Sequence, residues 1–352
     1  MNRYQINEIR DRGKTAGAKA VEDVIAIANT LNFKELDFEL MTNNNIFGKV
    51  RRNVPVWSEA WSKKEWNKIY SKIEENATVL FQSPWYDYNA PKAKYDFFKK
   101  LKAEKNAKFI FVIHDVNELR PNPSKYDIAE FNLVLEFGDR IIVHNTIMRD
   151  YMIKRGVDKE KLVVLQIFDY LVDNKEIENA SFSRSVTIAG NLDVEKTAYL
   201  GKLGKVKSKF VLYGPNFTQE SSSNLDYRGL IPSNEIPEKL HEGFGLIWDG
   251  PSIDTCAGMG AYLRYNNPHK LSLYIASGLP VVIWDQAAEA TFVKENGLGL
   301  TISSLYDLPK ALENVTEEDY DVMATKAREI GVKLRSGNYM STALRKSLSG
   351  LE

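Results

Sequence analysis

The chain has 352 residues, more than one hydrophobic core ordinarily serves, and with 43% hydrophobic and 27% charged residues its composition is that of a folded protein. Two globular domains are therefore expected, while disorder and fibrous structure are excluded. Lysine plus arginine balances aspartate plus glutamate at 47 each, so no global field draws nucleic acid and any anion site must be local.

The amino-terminal stretch MNRYQINEIRDRGK lacks an apolar h-region, and no run of about eighteen apolar residues occurs, so neither export nor membrane spanning is expected. Cys256, the only cysteine, precludes an internal disulfide and a thiolate-rich metal site, and it fits a reducing cytoplasm.

Along the chain, short apolar runs alternate with longer amphipathic stretches, the pattern of parallel strands joined by crossover helices. Gly13-Lys-Thr-Ala-Gly17 precedes a helix predicted over 18–31. Its amides could face phosphates, and a tight turn is the plainer alternative. Strands are predicted over 35–39, 78–82, 108–113 and 140–144. Helical spacing covers 95–105 and 146–155, the latter opened by Asn145 and stopped by Gly156. Residues 169–185 turn polar and aperiodic, which marks an interdomain connection and places the domains at 1–168 and 169–330. The strand pattern restarts over 185–189, 210–213, 245–248 and 280–284, a second sheet of four strands. The tail over 317–348 is helical apart from breaks at Gly331 and Ser336-Gly337-Asn338, and residues 331–352 are expected to cross back to the first domain.

Several strand ends carry candidate chemistry. Trp85, Tyr86 and Tyr88, after a predicted strand, suit stacking on a substrate, although aromatic residues serve cores equally often. His114 and Asp115 end the run 109–113 and are the acid–base candidates. Asp115 would take a proton from a hydroxyl nucleophile, and His114 would hold a hydroxyl or a transition-state charge; an Asp loop cap with a hydrogen-bonded His beneath it is the alternative. Tyr213 precedes Gly214-Pro215 at a strand end facing a ligand crevice, or it is core. Asp249 before Gly250 reads as a contact to substrate hydroxyls or an Asx cap. Pro268 suits the first helical position, so the free amides of that turn and the charge of Lys270 would form an anion site; a surface lysine on a capped helix is the alternative. His114, His144, His241 and His269 show no paired-ligand spacing, so no metal is expected there. Asp319-Tyr-Asp321 matches a metal-binding DxD string but lies at a predicted helix start and reads as a cap.

The string Pro-x-Lys-Leu-x-x-Tyr-x-Ala-x-Gly-x-Pro-Val-Val over 268–282 resembles the donor-site signature of GT-B glycosyltransferases. Together with Gly243-Phe-Gly-Leu-Ile-Trp-Asp249 and the Gly190-Asn191 turn, it is similar to bacterial glucosyltransferases that extend O-glycans on serine-rich-repeat adhesins. Galactofuranosyltransferases look similar as well. The resemblance implies an α/β GT-B fold, two Rossmann-like domains with parallel sheets facing an interdomain cleft, the acceptor in the first and UDP-sugar in the second. Donor contacts are implied at Thr15, Gly17, Gly190, Asn191, Lys196, Tyr213, Lys270, Leu271 and Ser272. Leu273 is a departure, since many such enzymes carry there a glutamate for the donor ribose. The implied function is metal-independent hexosyl transfer, glucose favoured, from UDP-sugar to a glycan or glycoprotein acceptor. No cofactor, no nucleic acid and no transmembrane segment are expected, and a cytoplasmic homo-oligomer, free or peripheral to the membrane, is. The rivals are a galactofuranosyltransferase of polysaccharide assembly, a nucleotide-sugar epimerase, and a non-catalytic partner of another glycosyltransferase.

Overall fold

A computed structural model describes residues 2–9, 16–40, 54–85, 90–172, 177–195, 197–218 and 223–351. The sequence candidates Thr15, Tyr86, Tyr88 and Lys196 lie outside the described residues. Two compact units result: Met1–Gly13, Val24–Leu165 and Ser341–Glu352 make the first, and Lys14–Asp23 with Gln166–Met340 the second.

The first unit contains β1 (Arg3–Ile9), β2 (Lys34–Glu39), β3 (Thr78–Ser83), β4 (Lys108–Ile113), β5 (Arg140–Val143) and β6 (Leu162–Val164) in the order β2-β1-β3-β4-β5-β6, all parallel. The helices are α1 (Ala16–Thr30, shared between the units), α2 (Pro55–Lys72), α3 (Pro91–Lys105), α4 (Lys125–Phe137) and α5 (Thr146–Lys154). Parallel strands covered on both faces read as apolar runs, and β4 does so from Phe109 to Ile113, while β3 is buried along its whole length around the apolar Val79–Phe81. β1 is a strand that the apolar-run criterion misses. Its Gln5 and Asn7 are buried with their amide nitrogens paired: Gln5 Nε2 donates to Asn29 Oδ1 at 2.6 Å and Asn7 Nδ2 to Glu35 Oε2 at 2.9 Å.

In the second unit lie β7 (Ser181–Ala189), β8 (Lys209–Tyr213), β9 (Leu225–Tyr227), β10 (Glu242–Ile247), β11 (Val281–Trp284) and β12 (Gly299–Ile302), parallel in the order β12-β11-β10-β7-β8-β9. The helices are α6 (His269–Ala276), α7 (Ala290–Asn296), α8 (Leu308–Glu313), α9 (Glu317–Arg335) and α10 (Asn338–Ser349, its last part in the first unit). The sheet thus has six strands where four were expected. The additional ones, β9 and β12, are short edge strands of mixed polarity, too brief for a periodic signal. β7 starts at Ser181, inside the polar stretch read as connection. Gly331 does not break α9: a Cβ there would sit 2.5 Å from the Ile275 carbonyl, so glycine lets α9 pack directly on α6. Strand order reverses between β7 and β10, and the crevice outside the carboxyl ends at such a reversal is where α/β sheets bind ligands. No helix among the described residues is long and apolar enough to cross a membrane.

Candidate functional site

In the second unit the site is organised by α6, and three contacts set that helix in place. The Tyr274 hydroxyl accepts from the Ala189 amide at 2.9 Å, at the carboxyl end of β7. Gly245 on β10 makes room for the Tyr274 ring, since a Cβ would lie 2.2 Å from its Cγ. At the far end, Arg335 donates to the Ala276 carbonyl at 2.6 Å, satisfying a last-turn acceptor with a cation. The helix start differs from expectation: Pro268 is the N-cap, with extended ψ of 126°, and His269 is the first helical residue. Pro268 still contributes its carbonyl, which accepts from the Leu271 amide at 2.8 Å.

These contacts bring Lys270 over Gly190, eighty residues earlier in the chain. Lys270 Cε lies 3.0 Å and Nζ 3.5 Å from where a Gly190 Cβ would stand, so only glycine leaves the lysine this path. Gly190 and Gly214 both adopt φ +144°, and a Cβ on Gly214 would meet the Gly190 carbonyl oxygen at 1.7 Å. Among the described residues, no acceptor lies within hydrogen-bond or ion-pair distance of the Lys270 ammonium. Burial pushes its pKa down, and the more distant Asp249 carboxylate opposes that shift. Asp249 itself accepts from the Gly250 amide at 2.7 Å, as an Asx cap would.

Lys270 forms part of the wall of a cavity of about 330 Å³ beside the carboxyl ends of β7 and β8. Gly190, Asn191 and Tyr213 share that wall with Gly214, which brings three of the sequence candidates together with Lys270. Asn191 Oδ1 accepts from the Asp193 amide at 3.2 Å and from Asn216 at 2.9 Å, so it shapes the turn. Tyr213 is buried, with its hydroxyl accepting from Arg228 at 3.2 Å, and it offers the cavity its ring. Leu271 and Ser272 are fully buried, so their side chains belong to the interior and only their backbone can meet a ligand.

Sequence reasoning missed His269, which also lines the cavity with its ring 5.1 Å from that of Tyr170. Burial, and then the charge of Lys19, push the His269 pKa down to about 4, so the imidazole is neutral at pH 7. Its position immediately before Lys270 was the available signal. Gly17 falls in the first turn of α1. Two residues on, Lys19 donates to the Leu171 carbonyl at 2.7 Å and pairs with Asp23. Burial raises the Asp23 pKa to about 6 against the pull of Lys19.

In the first unit, His114 and Asp115 follow β4 and are both half-buried. His114 Nε2 contacts Gln82 Oε1 at 2.6 Å, and the Asp115 carboxylate accepts from Arg120 at 2.9 Å. Trp85 corrects the expectation of an acceptor platform. It is 3% exposed, stacked on Phe81 at 4.7 Å and packed with Phe38 and Trp66 in the aromatic core, where apolar burial outweighs any surface role. Asp319 is the third residue of α9 and closes a capping box with Thr316, which accounts for the DxD string.

Residues 3–167 match the glucosyltransferase 3-like amino-terminal domain and residues 186–347 the corresponding carboxy-terminal domain. The chain is 31% identical to the β-1,6-galactofuranosyltransferase WbbI of Escherichia coli K12, over 99% of both chains. It is 26% identical to glucosyltransferase 3 of Streptococcus gordonii, over 94% of both. Among solved structures, sucrose-phosphate synthase of Thermosynechococcus elongatus superposes with a TM-score of 0.62 at 12% identity, covering 99% of this chain and 98% of that one. HepE of Anabaena, solved with UDP and glucose, superposes with a TM-score of 0.60 at 11% identity over 99% of both. The two-unit α/β architecture is that of the GT-B glycosyltransferases.

Proposed function

Because the chain belongs to the glucosyltransferase 3-like family of glycosyltransferases, we propose that it moves a hexosyl group, glucose first, from a UDP-sugar to a hydroxyl of a glycan acceptor such as that of a cell-surface glycoprotein. The observation that carries this reading is Lys270, an ammonium without an ionic partner among the described residues, at the wall of a cavity beside strand carboxyl ends. A leaving diphosphate gains negative charge as its bond to the sugar breaks, and a preplaced cation at a helix start stabilises that charge selectively. The lysine and the first-turn amides thereby do without a divalent metal, and the reaction needs no cofactor beyond the sugar nucleotide. HepE, of similar fold, binds UDP and glucose, which supports UDP as the handle. In the first unit, His114 and Asp115 receive the acceptor hydroxyl. A cytoplasmic setting is part of this proposal.

A second reading, galactofuranosyl transfer, is favoured by the 31% identity to a galactofuranosyltransferase along the full chain. Incubating the protein with UDP-glucose, UDP-galactose and UDP-galactofuranose and resolving released UDP and the product sugars separates the two. Turnover is expected with one donor far above the others. Failure to bind UDP together with absence of turnover on every UDP-sugar would overturn the assignment.

A further inference from the structure

One side of the cavity is held in shape by a residue that stands behind it. Tyr213, Leu230, Ile231 and Ile236 give the wall an aromatic and aliphatic part, and Lys270 gives it a cation. Tyr213 is the last residue of β8 and is 4% exposed. A tyrosine ring turns about a broad, roughly two-fold torsion, so its plane is set by packing and by whatever holds its hydroxyl.

Arg228 holds that hydroxyl. Pairing between β8 and β9 continues past the end of β9: the Arg228 amide donates to the Leu212 carbonyl and the Gly214 amide to the Gly229 carbonyl, both at 2.9 Å. The arginine therefore starts beside Tyr213, and the chain after it runs on into the wall at Leu230 and Ile231. Its Nη1 donates to the Tyr213 hydroxyl at 3.2 Å, Nε to Asp226 at 3.1 Å, and Nη2 to Asp226 at 3.0 Å and Glu242 at 2.8 Å. Asp226 lies in β9 and Glu242 starts β10, so two strands fix the planar fork that meets the tyrosine. The other neighbour of the hydroxyl, the Lys239 carbonyl, is 3.5 Å away, at the outer limit of a hydrogen bond.

On the nucleotide reading above, we propose that Arg228 is a positioning residue for the nucleoside: it sets the plane of the Tyr213 ring before the nucleotide arrives, so that binding does not have to order the ring. Ordering a side chain at the moment of binding costs about three- to tenfold in affinity.

Calorimetric titration with UDP over a double-mutant cycle of Arg228→Met and Tyr213→Phe, each protein checked by thermal melting, tests this. Each single variant is expected to weaken UDP by about three- to tenfold, and Arg228→Met to add less than about twofold once the hydroxyl is gone. An Arg228→Met protein within about twofold of the parent overturns the proposal. Equal losses with and without the hydroxyl overturn it too, since the arginine would then act through Asp226 and Glu242 alone. In both cases UDP binding itself stands. If the parent does not bind UDP, the nucleotide reading of the cavity falls and the role of Arg228 with it. Arg228→Lys, which keeps a cation for the two carboxylates but lacks the fork, enters the same cycle if the methionine variant does not fold, with a smaller loss expected and no loss counting against Arg228.

Discussion

Replacing Lys270 by methionine keeps an unbranched apolar stem and removes the terminal ammonium, so it tests the charge and its hydrogen-bond donors together. The ammonium has no ionic partner among the described residues, and burial already disfavours its charged form. Folding therefore loses no salt bridge, and the melting temperature should stay the same or rise, with a stability change within about 0.5 kcal/mol. Nucleotide binding should behave oppositely. A hydrogen bond between charged groups contributes about 1.5–3 kcal/mol, which is roughly 10- to 150-fold in the dissociation constant for UDP. Uridine, which carries no diphosphate, should lose nothing. Lys270→Arg should recover only part of the affinity, because the lysine stem passes 3.0 Å from the Cβ position of Gly190 and a guanidinium needs more room. Isothermal titration with UDP and uridine, beside thermal melts of each variant, gives all these quantities. A folded Lys270→Met protein that binds UDP within twofold of the parent would refute the reasoning.

Asp115→Asn is expected to lower kcat by about 10²–10⁴ if this carboxylate is the base, with UDP affinity within twofold of the parent; unchanged turnover in steady-state kinetics would return Asp115 to a purely structural pairing with Arg120. Gly245→Ala should destabilise the second unit by about 3 kcal/mol or more, since its Cβ would overlap the Tyr274 ring at 2.2 Å, and a chemical denaturation curve matching the parent would show that the ring can yield. His144, buried with its pKa down near 4 because of that burial, is held neutral in the fold. Since its folded value is depressed, the stability it contributes is present above about pH 6.5 and is lost as pH falls toward 4, a loss of roughly 3 kcal/mol. His144→Gln should reduce the slope of melting temperature against pH over that window, His269 keeping its own share, and an unaltered slope would contradict the assignment.

Much of the architecture is legible in the sequence because it is local. Apolar runs such as Phe109-Ile-Phe-Val-Ile113 become strands buried from both sides, Asn145 caps α5 by accepting from the Met148 amide at 2.9 Å, and Asp319 caps α9. The segment around Lys270 declares a helix and a strand by spacing alone. β1 does not, since polar residues can be buried in an interior strand where distant groups pair with their amide nitrogens, and distant partners leave no trace in a short window. Trp85 shows the converse: the residues after a strand look equally suited to solvent or core until Phe38, Trp66 and Phe81 are seen around it.

The sequence by itself determined the alternation of strands and helices, the caps, the presence of a cation near a helix start, and the family resemblance. Periodicity and capping act over a few residues, and the sequence records them directly. Tertiary structure alone decided the strand order, the place where that order reverses, and the approach of Lys270 to Gly190 across eighty residues. Those depend on which strands pair and on which glycines leave room for a neighbour, and such contacts become visible only when the chain has closed on itself.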